Sequence, residues 1–299
     1  MPRGLIVKAL SGFYYVLPDD GGEVVRCRAR GVFKKREVSP LVGDRVAFEV
    51  EPTGEGTVTE IETRTTELVR PPVANVDTAV LVFSVAEPAI SYLLLDRFLV
   101  HTEMAGLDSI ICLSKTDLEE GKDEVKEAVD RYMRIGYEVF VTSSPRREGI
   151  DPLVERLAGH ISVVAGQSGV GKSTLLNAMI PGLDLETNAI SQKLGRGKHT
   201  TRHVELFRLP SGGFIADTPG FSQLDFQNME PEQLSEGFRE FRDLSGSCKF
   251  RGCMHISEPG CAVIESLQEG RIDRLRYEHY LLFVQELREA KEKKRWNQK

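Results

Sequence analysis

The segment Gly166-Gln167-Ser168-Gly169-Val170-Gly171-Lys172-Ser173 constrains the fold more than any other part of the chain. It fits G-x-x-x-x-G-K-S and lies between an apolar run, Ile161 to Ala165, and a helical pattern from Lys172 to Met179. Glycine tolerates the backbone angles that turn successive N–H groups toward phosphate oxygens, and a helix N-terminus adds the positive end of its dipole. Lys172 is then expected to reach the outer phosphates and Ser173 to ligate Mg²⁺, with Thr174 completing the phosphate-binding set. Such a loop needs a strand, a turn and a helix in that order, so the middle of the chain must be α/β.

The surrounding pattern agrees. Strand-length apolar runs at Thr78 to Val85, Ser109 to Leu113, Glu138 to Val141 and Ile161 to Ala165 alternate with helical stretches. Those stretches are Tyr92 to Met104, Glu119 to Ile135, a segment near Asp151 to Leu157, and Lys172 to Met179. Alternation of this kind predicts a mostly parallel sheet covered on both faces. Two more strands, Val204 to Leu209 and Gly213 to Ala216, complete a P-loop domain over residues 72–225. Residues 1–71, closed by Pro71-Pro72, contain about five short strands separated by Gly-, Pro- and Asp-rich turns, which predicts a small OB-fold-like β-barrel. Phe13 to Val16, Val24 to Ala29, Asp44 to Glu49 and Gly56 to Ile61 are its readable strands. Residues 226–299 read as helical around a compact Cys/His cluster.

Further elements belong with the phosphate loop. Asp217-Thr218-Pro219-Gly220 ends a strand and fits D-x-x-G, so Asp217 is expected to hold Mg²⁺ through water and Gly220 to meet the γ-phosphate. Between them lies the basic, hydroxyl-rich segment 195–202, in which Thr201, rather than Thr200, is the expected second Mg²⁺ ligand. Phe221 follows D-x-x-G and cannot orient water, which makes unassisted hydrolysis slow, about 10⁻⁴–10⁻² s⁻¹. His199 is the leading candidate for positioning the attacking water, with Arg196 or a partner's group as alternatives. Ser114-Lys115-Thr116-Asp117 follows an apolar strand and resembles the guanine-reading motif N-K-x-D of the Ras-like GTPases. Its carboxylate can accept bonds from guanine that adenine does not offer, while Lys115 lays its stem over the base. Ser114 replaces the usual Asn and removes an amide that braces the loop. Ser143 and Ser144 resemble the motif that supports the guanine carbonyl.

The order of these elements is unusual. The base-reading loops at 114–117 and 142–144 precede the phosphate loop, and the switch segment and D-x-x-G follow it. This is a circular permutation of the common GTPase order, which surface termini make feasible. Cys248, Cys253, His255 and Cys261 read C-x₄-C-x-H-x₅-C, a spacing that suits one structural Zn²⁺ with a closed Cys₃His shell. Barrel, permuted GTPase and Cys/His cluster together resemble the small-ribosomal-subunit biogenesis GTPases of the RsgA type. That resemblance implies GTP hydrolysis with Mg²⁺, binding of GTP and GDP, and a partner in the small ribosomal subunit and its rRNA, released on hydrolysis late in maturation. The rival readings are a P-loop ATPase or kinase, and a non-catalytic nucleotide-gated RNA-binding module. Movement at Gly220 is expected to pull on the C-terminal region through a short covalent connection.

Composition narrows the setting. The 299 residues contain no apolar run of about 18 residues and no signal-peptide pattern, which predicts a cytoplasmic protein, read here as a monomer without membrane contact. The five cysteines are then reduced, and Cys27 and Cys112 read as core residues. The net charge of −6 argues against nucleic acid only superficially. Residues 72–225 carry 15 basic and 21 acidic side chains, so the flanking regions are neutral overall and hold local basic clusters. Arg26, Arg28 and Arg30 share one face of a strand, followed by Lys34, Lys35 and Arg36, and Phe33, if exposed, could stack on a base. A single C-terminal helix, about Val263 to Trp296, ends in a second basic segment.

Overall fold

A computed structural model describes residues 1–31, 33, 38–52, 54–69, 71–118, 122–185, 204–217 and 229–297. Five strands, β1 (Arg3–Leu10), β2 (Phe13–Pro18), β3 (Val25–Ala29), β4 (Arg45–Val50) and β5 (Gly56–Ile61), close into a barrel in the order β1-β2-β3-β5-β4. β3 and β5 run parallel and the other neighbours antiparallel. The strand missing from the sequence pattern is β1, whose apolar residues do not alternate cleanly because a bulge between Ile6 and Lys8 shifts its register. Pro71-Pro72 falls in a hairpin of β6 (Glu67–Val69) and β7 (Pro72–Ala74) that leads out of the barrel.

The α/β region contains β8 (Thr78–Ser84), α1 (Tyr92–Met104), β9 (Asp108–Ser114), α2 (Lys122–Ile135), β10 (Glu138–Val141), α3 (Ile150–Arg156), β11 (Ile161–Ala165), α4 (Lys172–Met179), β12 (Leu206–Arg208) and β13 (Phe214–Asp217). Its sheet has the order β10-β9-β8-β11-β13-β12, parallel except for β12, which runs antiparallel to β13. Every residue of β8 is buried, as expected for a central parallel strand with helices on both faces. One hydrophobic core continues from the barrel (Leu5, Val46, Phe48) through the hairpin (Leu68, Val73) to one sheet face (Leu81, Phe83, Leu113). The other face packs Val80, Val82 and Val164 against Leu153 of α3 and Leu175 of α4.

The C-terminal region holds a 3₁₀ segment (Pro231–Gly237), α5 (Arg239–Ser245), α6 (Ala262–Gln268) and α7 (Arg274–Asn297). The expected single helix is therefore two. Gly270 takes φ 73°, its N–H bonds Leu267 O, and the Asp273 carboxylate accepts the Arg276 N–H to start the next helix. Phe238, Phe241, Tyr280 and Phe283 form the core here, joined by Val100 of α1.

Candidate nucleotide and metal sites

Phosphate loop, base-reading loops and Asp217 all lie at the carboxyl ends of the parallel strands, on one edge of the sheet, where α/β proteins place ligands. Gly166 leaves β11 with φ 144°, and a Cβ there would lie 2.2 Å from Val82 O, so only glycine lets the loop pass β8. Val170 is buried and anchors the loop, while Ser168 and Gly169 are exposed. Gly171, at φ 95°, caps α4, so the N–H groups of Lys172, Ser173 and Thr174 open the helix without a side-chain cap. The Lys172 ammonium donates to Gly166 O at 2.8 Å and Gln167 O at 2.6 Å. Burial holds it below its ordinary pKa, and the Asp217 carboxylate opposes that shift. Lysine and aspartate therefore share the phosphate end of the sheet.

The base-reading loops form a second hydrogen-bonded unit beside it. Ser143, fully buried, donates through Oγ to Asp117 Oδ1 at 2.8 Å and accepts the Arg146 N–H at 3.3 Å. Arg146 also donates to Asp117 O, a contact that the sequence did not suggest. Thr116 bonds Thr142 O through its hydroxyl at 3.1 Å, tying the loop after β9 to the loop after β10. Lys115 sits at φ 61° with its ammonium on Glu87 O, and its stem passes over Gly171 of the phosphate loop. Ser144 is half-buried next to Ser143. His199, Thr201, Gly220, Phe221 and the whole segment 195–202 lie outside the described residues.

Cys248, Cys253, His255 and Cys261 converge, with their ligand atoms within 4.8 Å of one another. Cys248 Sγ lies 3.9 Å from Cys261 Sγ, and His255 Nδ1 lies 3.6 and 3.3 Å from those two sulfurs. Four ligands at about 2.0–2.3 Å around one tetrahedral ion have this spacing, so the cluster fits zinc. The surroundings hold the ligand loop in shape. His255 Nε2 faces Ser245 Oγ at 3.3 Å, and Tyr277 and Tyr280 donate to His255 O and Met254 O. Burial raises the Glu258 carboxyl, but backbone N–H groups of Ile256, Met254 and Ser257 outweigh it and bring its pKa to about 2.

The barrel surface departs from expectation. Phe33 is 7% exposed and packs into the core, so it is not a stacking platform. The aromatic beside the arginines is the half-buried Phe13, with the guanidinium groups of Arg26 and Arg28 at 4.8 and 4.7 Å from its ring centre. The β2–β3 register, Tyr14 opposite Cys27, brings them together, a cross-strand relation that sequence spacing alone cannot show. Arg26 and Arg30 pair with Glu55, just before β5, and Glu49 of β4, which lowers the net charge of the arginine row. A groove of about 410 Å³ opens beside it, lined in part by Tyr14, Arg28 and Arg30. Lys34, Lys35 and Arg36 lie outside the described residues.

Two family models match the chain, the RsgA N-terminal domain over residues 3–58 and the RsgA GTPase over residues 61–227. A protein of Halalkalibacterium halodurans named small ribosomal subunit biogenesis GTPase RsgA is 57% identical, covering 96% of this chain and 98% of its own. The crystal structure of YloQ, described as a circularly permuted GTPase, superposes with a TM-score of 0.84 at 46% identity, over 97% of this chain and 96% of that one. YjeQ from Thermotoga maritima gives 0.85 at 38% identity, over 96% and 98%. The permutation is explicit in the sheet, where β11, which carries the phosphate loop, is the fourth of the sheet's strands in chain order and lies between the first of them, β8, and the last, β13. With the family model spanning the nucleotide site and the likeness extending across both flanking regions, this chain is a GTPase of the RsgA family.

Proposed function

We propose that this chain is an assembly factor that binds the small ribosomal subunit late in its maturation and leaves on GTP hydrolysis. Relatives that bear the name small ribosomal subunit biogenesis GTPase support the partner. In this reading residues 1–71 contact rRNA through the Phe13–Arg26–Arg28 surface, 72–225 bind and hydrolyse GTP, and 226–299 form a helical unit held by one structural zinc. The chain is read as a monomer working in the cytoplasm, the setting of ribosome assembly. No helix among the described residues is long and apolar enough to cross a membrane.

The observation that carries the nucleotide assignment is the Asp117 carboxylate, held by Ser143 from the neighbouring loop on the same sheet edge as Lys172. Its fixed oxygens are suited to the N1–H and exocyclic amine of guanine, and with adenine they would be left unpaired, which disfavours ATP. Ser114, Lys115 and Thr116 hold that loop, while Ser143 and Ser144 shape the far side of the base pocket. Residues 166–174 cradle the phosphates, and Lys172 gives up its loop carbonyls to meet them. Mg²⁺ bound with the nucleotide would neutralise phosphate charge, and Ser173, Thr201 and Asp217 would hold it. Gly220 would sense the γ-phosphate, and His199 would position water. GTP turnover measured with and without purified small subunits tests the reading, with marked stimulation expected. Unchanged turnover overturns the partner assignment. Asp117→Asn is expected to weaken GTP binding by about 10–100-fold, the equivalent of about 1–3 kcal/mol, while leaving ATP binding as weak as before. Equal affinity for ATP and GTP in the unaltered protein would favour the ATPase reading.

A further inference from the structure

The barrel and the sheet touch at a position whose register the nucleotide reading leaves unused. Lys8 of β1 makes an isolated antiparallel bridge with Glu205, and its ammonium donates to the Glu205 carboxylate at 2.8 Å. This edge of β1 first pairs with β4 from Arg3 to Leu5, and Ile6 then bonds the backbone of Gly43 and Asp44. Beyond Ile6 the edge turns to the sheet instead. The bulge that pairs Ile6 with Val16 but Lys8 with Tyr15 aims the strand there, a recurrent use of bulges.

Glu205 immediately precedes β12, the edge strand of the sheet. β12 and β13 pair Leu206 with Ala216, so one further step of the same register sets Glu205 opposite Asp217. Lys8 is thus bonded to Glu205, which stands one residue beyond the last β12–β13 pair just as Asp217 does on β13, and Asp217 in turn acts on the Lys172 ammonium. Along the chain, Glu205 follows Thr201 by four residues.

The barrel's other attachment differs in kind. Val42 bridges Val73, the Asn75 side-chain amide donates to Gly43 O at 2.9 Å, and Arg64 clasps the buried Asp44 at 2.7 Å. That hairpin attachment is buried and can serve as a fulcrum. The Lys8–Glu205 pair is about one-third exposed on each side, at 32% and 38%, and can break and re-form at little cost to the fold.

We propose that Lys8 and Glu205 are positioning residues that couple the nucleotide state at Asp217 to the orientation of the barrel. The proposal rests on reading Asp217 as a phosphate-side residue. Coupling of this kind is reciprocal, so whatever engages the barrel also biases the nucleotide state.

Hydrogen exchange of the full, zinc-loaded chain tests it, with GDP and a non-hydrolysable GTP analogue as the two ligands and binding of each confirmed by titration. Amides of residues 3–18 are expected to differ between the two states by about five-fold, the low end of allosteric coupling. Lys8→Met and Glu205→Gln are each expected to abolish the difference with both nucleotides still bound. The exchanged pair Lys8→Glu with Glu205→Lys is expected to restore it, whereas a merely structural pair would alter exchange equally in both states. Equal exchange in the unaltered protein, a difference that survives either single variant, or failure of the exchanged pair to restore it would overturn the proposal. Loss of binding to both nucleotides would fail earlier, on the phosphate-site reading itself, and take the proposal with it.

Discussion

Ser114 occupies the position where the guanine-reading motif usually has Asn, and its short side chain still joins the two halves of the nucleotide site. Its Oγ lies 2.6 Å from Val170 O in the phosphate loop and 3.2 Å from Phe83 O. A hydroxyl has one proton to donate, and the shorter contact receives it. The brace that the sequence reading counted as lost is therefore supplied by a hydroxyl. Ser114→Ala removes it and is expected to cost about 1 kcal/mol, a roughly five-fold rise in the GDP dissociation constant measured by equilibrium titration. Unaltered affinity would show that the two loops hold their geometry without the serine. Chemistry that binds phosphate or zinc dictates residue types at short spacing, so Lys172 and the four Cys and His residues are legible in the sequence. Which of Phe13 and Phe33 packs into the core and which lies against the arginines depends on cross-strand register and on how the barrel closes, neither of which is a local property.

The elements follow the same division. The parallel strands are legible because burial on both faces demands uninterrupted apolar runs. β1 is not, because its bulge breaks the alternation, and the α6–α7 break turns on one left-handed glycine inside a helical pattern. The segment from Cys248 to Cys261 has almost no regular structure of its own and is shaped by converging ligands, the Glu258 bonds and the two tyrosines. Zinc is therefore expected at about one per chain, and Cys261→Ser or chelation is expected to release it. Hydrogen exchange should then accelerate in residues 248–268 while β8 to β11 stay protected. Full protection of 248–268 without metal would show that the aromatic core alone holds this segment.

At the scale of the whole molecule, the C-terminal region is fastened to the sheet by a buried charge network and does not hang on its covalent link alone. The fully buried Arg276 of α7 donates to Asp96 Oδ1 of α1 at 2.7 Å and to both Glu240 oxygens of α5, with its guanidinium over the Phe238 ring. Tyr132 of α2 and His279 of α7 complete the shell around Asp96. Arg97–Glu286, Arg131–Asp273 and the Arg239 and Arg242 contacts to Glu103 surround it. Any displacement reaching the C-terminal region from Gly220 must therefore carry α1 and α2 with it or break this network. None of this is legible from sequence, where Asp96 and Arg276 look like ordinary polar positions on amphipathic helices. Arg276→Met strands two carboxylates and is expected to cost about 3–5 kcal/mol in urea unfolding of the zinc-loaded protein. Burial alone would raise the Asp96 carboxyl, but the Arg276 charge and the bonds from His279, Arg276 and Tyr132 hold it below its usual range. A lowered carboxyl stabilises the fold fully above its unfolded pKa of about 3.9 and loses that contribution as pH falls toward its native value. In Arg276→Met the burial of Asp96 is no longer opposed by that charge, so its carboxyl takes up a proton at a higher pH than in the unaltered protein. The stability gap between the two should therefore be widest at about pH 8 and narrow steadily as pH falls toward about 4. Adding Asp96→Asn to Arg276→Met should recover part of the loss, because the uncompensated charge has gone. A gap independent of pH, with strictly additive single losses, would assign the stabilisation to the packing of Arg276 against Phe238 instead.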